Sequence, residues 1–290
     1  MKRIRTVAVL PTLFTLGNLV CGFFAIVVLS RIEAPTSTDV PTAARIEFRG
    51  SGSVMPALDT DDPTHNAMLC GWLIFLAMVF DALDGHVARL AKVSSDFGAQ
   101  LDSLCDLVTF GVAPAILLVK ICPSFVFLHR EEVWIIATAF AACAALRLAR
   151  FNVETGEDDD HFHFSGLPTP AAAASIAGFA IFFYTLRNDG NEWAYAGDID
   201  RWLQGIVPFF AMLVALLMVS RVPYPHVVNQ LFRGQKSFGH VVGLIFALVV
   251  VMLIRGYTVP LLCAVFVLGP PIRFFVHLAR ERRQRKEPLF

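Results

Sequence analysis

The sequence predicts an all-α fold, a polytopic transmembrane helical bundle. Three observations predict it. The chain is 56% hydrophobic, with 26 Phe and a mean hydropathy of +0.62. Only 17% of its 290 residues are charged, against about 25% in soluble domains. Those charges gather between apolar runs that reach the roughly 20 residues needed to span a bilayer as a helix. Lipid offers no partner to backbone N–H and C=O groups, so such runs must satisfy them internally, as helices.

Eight candidate spans follow in order, at about 7–30, 66–90, 97–119, 133–149, 168–186, 203–220, 237–254 and 256–278. The first begins after a basic start, as a signal peptide would. Its 24 uncharged residues from Val7 to Ser30 exceed a signal core, and no small-residue cleavage site follows, so it reads as a retained span. The last contains Gly269-Pro270-Pro271, which should break or kink it. Most connections are short. The exception is 31–65, rich in Pro, Thr, Asp and Ser, which reads as a polar extracytoplasmic loop. The chain thus divides into a first span (1–30), that loop (31–65), a transmembrane core carrying the chemistry (66–186), C-terminal spans (187–278) and a basic tail (279–290). No internal repeat and no second soluble domain is visible.

Lysine and arginine give the orientation. With the N-terminus in the cytoplasm and eight alternating spans, inside segments hold 16 of the 24 basic residues and outside segments 8. The bias places both termini, and the 81–106 region, on the cytoplasmic side of the cell (inner) membrane. A formal net charge of zero gives no reason to expect a nucleic-acid partner. The six cysteines (Cys21, Cys70, Cys105, Cys122, Cys143 and Cys263) lie scattered in apolar stretches without a CxxC, as buried small side chains would.

The informative stretch is Asp81-Ala-Leu-Asp84-Gly85-His86-Val-Ala88-Arg89, then Gly98-Ala-Gln-Leu-Asp102-Ser-Leu-Cys-Asp106. Asp81 and Asp84 are three apart near the end of the second span; Asp102 and Asp106 are four apart near the start of the third. Each pair shares a helix face, and a short turn lets the faces meet. An ionised Asp at a bilayer centre costs about 2.5–3.5 kcal/mol. Four near the hydrocarbon edge cost less each but repel one another. Only Arg89 and Lys92 lie close in sequence, so divalent cations are the economical counter-charge. Hard carboxylate oxygens suit Mg²⁺ or Mn²⁺, and two such ions can clamp the attacking and leaving oxygens of a displacement at phosphorus. Gly85, Ala88 and Gly98 leave room for a ligand or close backbone approach, and Arg89 offers a planar fork to phosphate.

The spacing D-x2-D-G-x2-A-R-x8-G-x3-D-x3-D is complete here, and it resembles the signature of the CDP-alcohol phosphatidyltransferases. The resemblance implies a core of six spans, here with about two extra C-terminal spans. It also implies a homodimer and a di-metal site of Asp81, Asp84, Asp102 and Asp106, with Asp106 as the proton acceptor. Gly85 and Arg89 match the residues that contact the CDP moiety, and Ser95 matches a hydroxyl residue before the glycine. Three stretches resemble the membrane-integral phosphatidylserine synthase branch: Leu13–Gly22, Asp102-Ser-Leu-Cys-Asp106 running into Phe110-Gly-Val-Ala-Pro114, and Arg147-Leu-Ala-Arg150-Phe-Asn152 with Phe164-Ser-Gly-Leu-Pro-Thr-Pro170. Two departures are the long 31–65 loop and His86, where a basic residue is common.

The implied reaction is attack of the L-serine hydroxyl on the β-phosphorus of CDP-diacylglycerol, releasing CMP. Arg147 and Arg150, three apart on one face, and Asn152 are candidates to bind serine; topological anchoring or lipid head-group contact is the other reading of the arginines. Thr15 and Asn18 are candidate cytidine or diphosphate contacts, or simple helix-packing residues. Asp158-Asp-Asp160-His161 and His163 read as a solvated acidic loop rather than a metal site. Glycerol-3-phosphate or inositol is the alternative acceptor, although a glycerol-phosphate should bring a denser basic cluster. A cation transporter is the reading from another class. Transporter sites lie at the midplane, often within repeats, and the carboxylates here sit at one face.

Overall fold

The computed structural model describes residues 9–32, 62–91, 96–122, 130–154, 166–189, 195–224 and 255–284. Within them run α1 (Val9–Ser30), α2 (Pro63–Ala91), α3 (Asp96–Asp106), a π-helical segment (Leu107–Val112), α4 (Ala113–Ile121), α5 (Arg130–Glu154), α6 (Thr169–Asp189), α7 (Ala196–Val219), a 3₁₀ turn (Arg255–Tyr257) and α8 (Thr258–Gln284). Among the described residues, six helical stretches have the length and apolarity to cross a membrane: Thr12–Ser30, Pro63–Val87, Phe97–Ile121, Glu131–Val153, Thr169–Asn188 and Ala196–Val219. The chain is an all-α integral membrane protein. The span expected at 237–254, most of the 31–65 loop and the 158–163 acidic run lie outside the described residues.

Helix starts follow local chemistry. Asp62 caps α2: its carboxylate accepts from the Thr64 N–H (2.9 Å) and its carbonyl from the Asn66 N–H (3.0 Å), with Pro63 in the first helical position, where its missing N–H costs nothing. Glu131 and Glu132 occupy the first turn of α5, where negative charge suits the helix dipole.

α1 lies along α2, α2 along α6, α5 along α7, and α8 along α6. The shared interior is built from small residues. Ala172, Ala173, Ala177 and Ala180 of α6 are fully buried, as are Ala25 of α1, Ala77 of α2 and Ala211 and Ala215 of α7, around Phe110, Phe140 and Ile176. Large apolar side chains such as Leu13, Phe23, Ile135, Trp202, Phe209 and Leu216 point outward. In lipid, outward apolar groups carry no penalty, and small interior residues let backbones approach and gain dispersion contact. All six cysteines are free, four of them buried, as the sequence suggests.

Of the break or kink expected at Gly269-Pro270-Pro271, the break does not occur: α8 continues through both prolines. Pro271 has no N–H for the carbonyl four residues earlier, that of Val267. The Tyr224 hydroxyl, arriving from beyond α7, donates to that carbonyl at 2.9 Å. A side chain thus replaces the missing backbone donor at a fully buried position.

Far from the C-terminal end of α2, a second polar cluster ties the bundle. Arg187 of α6 forms a two-nitrogen ion pair with Asp200 of α7 (3.1 and 3.2 Å) and donates to Thr64 of α2 (3.2 Å). Gln204 also donates to Asp200 (2.8 Å).

Candidate active site

Three helices build the site. α2 carries Asp81 and Asp84, α3 carries Asp102 and Asp106, and α1 lies beside both with Thr15 and Asn18 one turn apart. Asp81, Asp102 and Asp106 each offer a carboxylate oxygen, and these oxygens all lie within 4.8 Å of one another. Asp84 stands slightly apart, its carboxylate accepting a hydrogen bond from the Thr15 hydroxyl, yet it acts electrostatically on the other three. The pairing across two helix faces expected from the spacing is therefore present, with three carboxylates converging and the fourth held by α1.

Asp84 and Asp106 are buried, while Asp81 and Asp102 are half-buried. Like charges at this separation in a partly dehydrated site repel strongly. Two oxygens on one hard cation with bonds of about 2.0–2.1 Å sit roughly 3–4 Å apart. The donor set suits a divalent ion, and oxygens within 4.8 Å of one another are compatible with one that draws them together.

A wide turn follows Asp106 directly. From Leu107 to Val112 the helix takes π geometry, with the Ala113 N–H reaching back to the Val108 carbonyl, before α4 resumes. Pro114 accounts for it: its ring would press on the Phe110 carbonyl in a regular α-helix, and widening the turn relieves the clash. The turn seats Thr109, whose hydroxyl donates to the Asn18 carbonyl (3.2 Å). Gly22 meets the same residue: a Cβ there would lie 2.8 Å from the Thr109 Cα. Only glycine allows α1 this close. Asn18, one turn before Gly22 on that face, donates its Nδ2 to Asp106 Oδ1 at 2.8 Å.

The remaining sequence-predicted residues are placed as follows. Gly85 is exposed, and a Cβ there would meet nothing within 4 Å. Gly98 lies half-buried in the first turn of α3. Ala88 and Arg89 continue α2, with side chains outside the described residues, as is Ser95. Asn152 of α5 reaches α3, accepting from Ser103 (3.0 Å) and donating to Gln100 (3.4 Å). Arg147 and Arg150 donate to the last carbonyls of α7, those of Met218 (3.4 Å) and Val219 (3.2 Å). That end is further held by the Gly166 and Leu167 N–H groups, bonded to the Val222 and Leu217 carbonyls (2.8 and 3.0 Å). Gly166 adopts a φ of +94°, a conformation side chains disfavour. Sequence reasoning missed Gly22, Ser103, Thr109 and the wide turn. The small residue inside span one and the Pro114 ahead of a buried helix were the available signals.

Comparison with known proteins agrees with this geometry. Residues 8–219 match the family model of the CDP-alcohol phosphatidyltransferases, which ends where α7 ends. The chain is 40% identical over 160 residues to a CDP-diacylglycerol–serine O-phosphatidyltransferase of Methanocaldococcus jannaschii, covering 55% of this chain and 65% of that protein. It is 34% identical over 164 residues to one of Helicobacter pylori, covering 56% and 63%. It is also 34% identical over 180 residues to an archaetidylserine synthase of Methanothermobacter thermautotrophicus, covering 61% and 65%. The matched region thus spans just under two thirds of each relative's length. With the full carboxylate pattern on two facing helices and a family match running from α1 through α7, the chain belongs to the CDP-alcohol phosphatidyltransferase family.

Proposed function

We propose that the chain transfers the phosphatidyl group of CDP-diacylglycerol to L-serine, giving phosphatidylserine and CMP as a step of phospholipid biosynthesis. The observation that carries this reading is the convergence of Asp81, Asp102 and Asp106 within 4.8 Å, with Asp84 beside them, inside a family-matched core of six spans. The serine acceptor is supported by the relatives' names, which have serine in common although the lipid half differs between archaetidyl and diacylglycerol.

In this reading Asp81, Asp84, Asp102 and Asp106 would hold two divalent cations, Mg²⁺ or Mn²⁺. Bound cations supply neutralisation of the pyrophosphate and of the charge growing on the leaving CMP. The rest falls to the protein. Asp106 accepts the proton of the serine hydroxyl as its oxygen bonds to the β-phosphorus. Gly85, where a Cβ would meet nothing within 4 Å, receives the CDP moiety, with Ala88, Arg89, Ser95 and Gly98 as its further candidate contacts from the sequence. Arg147 and Arg150 face the serine carboxylate while also holding the end of α7. Asn152 holds the α3 side of the same region. The active site and both termini lie at the cytoplasmic face of the inner membrane, and the chain works as a homodimer.

The test is CMP release by purified protein in detergent with CDP-diacylglycerol, Mg²⁺ or Mn²⁺ and a panel of alcohols. L-serine should give the fastest release, and Asp81→Asn should abolish most of it without lowering the metal-free melting temperature. Equal or faster release with inositol or glycerol-3-phosphate would refute the serine acceptor.

A further inference from the structure

We propose that Asn18 is a positioning residue for Asp106: its amide holds one carboxylate oxygen so that the other faces the incoming hydroxyl. This rests on the transferase reading above and adds the means by which the proton acceptor is aimed.

Asn18 is 0% exposed. Its Nδ2 donates to Asp106 Oδ1 at 2.8 Å, while its Oδ1 is buried with no hydrogen-bond partner. An amide half satisfied in such a place is unfavourable, because a buried orphan acceptor forfeits its hydration. An apolar residue of the same size would serve helix packing better. The benefit of the amide therefore lies with Asp106.

Three other features converge on this contact. Thr109 holds the Asn18 carbonyl, Gly22 lets α1 approach the turn that carries Thr109, and that turn begins directly after Asp106. Together they fix the distance between α1 and the carboxylate.

An Asp side chain rotates broadly about its last torsion, so without the amide either oxygen could turn to a cation and either to the substrate. With Oδ1 held by the amide, Oδ2 is the oxygen presented to substrate. The serine oxygen forms its bond to the β-phosphorus and its proton passes to Oδ2. The bond from that phosphorus to the bridging oxygen breaks, and the electron pair leaves with CMP. Misplacing a reacting group by about 1 Å costs on the order of a hundredfold in rate.

Asn18→Leu removes the amide at similar volume. The expected result is a kcat at least tenfold lower, with KM for CDP-diacylglycerol, KM for serine and the Mn²⁺ concentration for half-maximal thermal stabilisation each within threefold of wild type. Its metal-free melting temperature should be level or higher, since the orphan acceptor is gone. Introduced into Asp106→Asn, the same change should slow the residual rate less than twofold, because the residue acts through Asp106. Should Asn18→Leu not fold, Asn18→Ser, too short to reach Asp106, carries the same kinetic expectation. A rise in either KM with kcat unchanged would make Asn18 a substrate contact and overturn the proposal. Unchanged kinetics, or losses that multiply in the double variant, would overturn it as well. A wild-type protein that releases no CMP with any alcohol would instead overturn the transferase reading beneath it.

Discussion

Gly22→Ala puts the close approach of α1 to the test. The new Cβ would stand 2.8 Å from both Cα and Cβ of Thr109, and nearer still to its hydroxyl oxygen. The hydroxyl can rotate away, but the Thr109 backbone cannot. Carbon atoms in contact prefer about 3.5 Å or more, so α1 must retreat by roughly 0.7 Å. Asn18 lies one turn away on the same face and would retreat with it. Its 2.8 Å bond to Asp106 would stretch to the limit of hydrogen bonding, and the 3.2 Å bond from Thr109 would be lost. Overpacking of this kind costs about 1–3 kcal/mol, and the displaced carboxylate should slow turnover by about 10–100-fold. The assay pairs melting curves in detergent with CMP release from CDP-diacylglycerol and serine. Gly197→Ala is the control: it is exposed in the first turn of α7, its Cβ would meet nothing within 4 Å, and it should melt at or above the wild-type temperature. A Gly22→Ala protein with wild-type melting and turnover would refute the argument that this contact sets the site.

Two further substitutions probe regions away from the carboxylates. Tyr224→Phe removes the donor that replaces Pro271's missing N–H, leaving the Val267 carbonyl orphaned in a buried position. It should destabilise by about 1–3 kcal/mol, read as a lower melting temperature; unchanged melting would show that the carbonyl finds another partner. Asp200→Ala strips Arg187 of its two-nitrogen partner; the guanidinium left behind is 24% exposed and keeps Thr64, so the cost should be about 1–3 kcal/mol, below that of a fully buried pair. KM for both substrates in the protein that remains folded should stay near wild type, because the pair lies at the N-terminal end of α2 and the carboxylates near its C-terminal end. A selective loss of substrate affinity would disprove that separation.

The membrane-spanning class, the first six spans and the four carboxylates were legible in the sequence because each rests on local information. Hydrophobic length reports a span, since lipid forces the backbone to pair within its own segment. Spacings of three and four residues place the Asp pairs on one face whatever surrounds them. What happens between helices was not legible. Nothing near Thr15 or Asn18 in sequence says that they bond to Asp84 and Asp106, which lie 69 and 88 residues away. Arg147 and Arg150 read as cations awaiting an anion, yet the fold also brings them to the carbonyls ending α7. Gly269-Pro270-Pro271 read as a break or kink because a local rule counts the lost backbone donor without any donor supplied from elsewhere. The fold supplies a donor from Tyr224, 43 residues before the Val267 carbonyl that receives it, and the helix continues. Local geometry depends on neighbours within a turn or two. A hydrogen-bond partner, a steric limit on helix approach and the satisfaction of an orphaned carbonyl depend on which surfaces the packing brings together, and only the tertiary structure decides that.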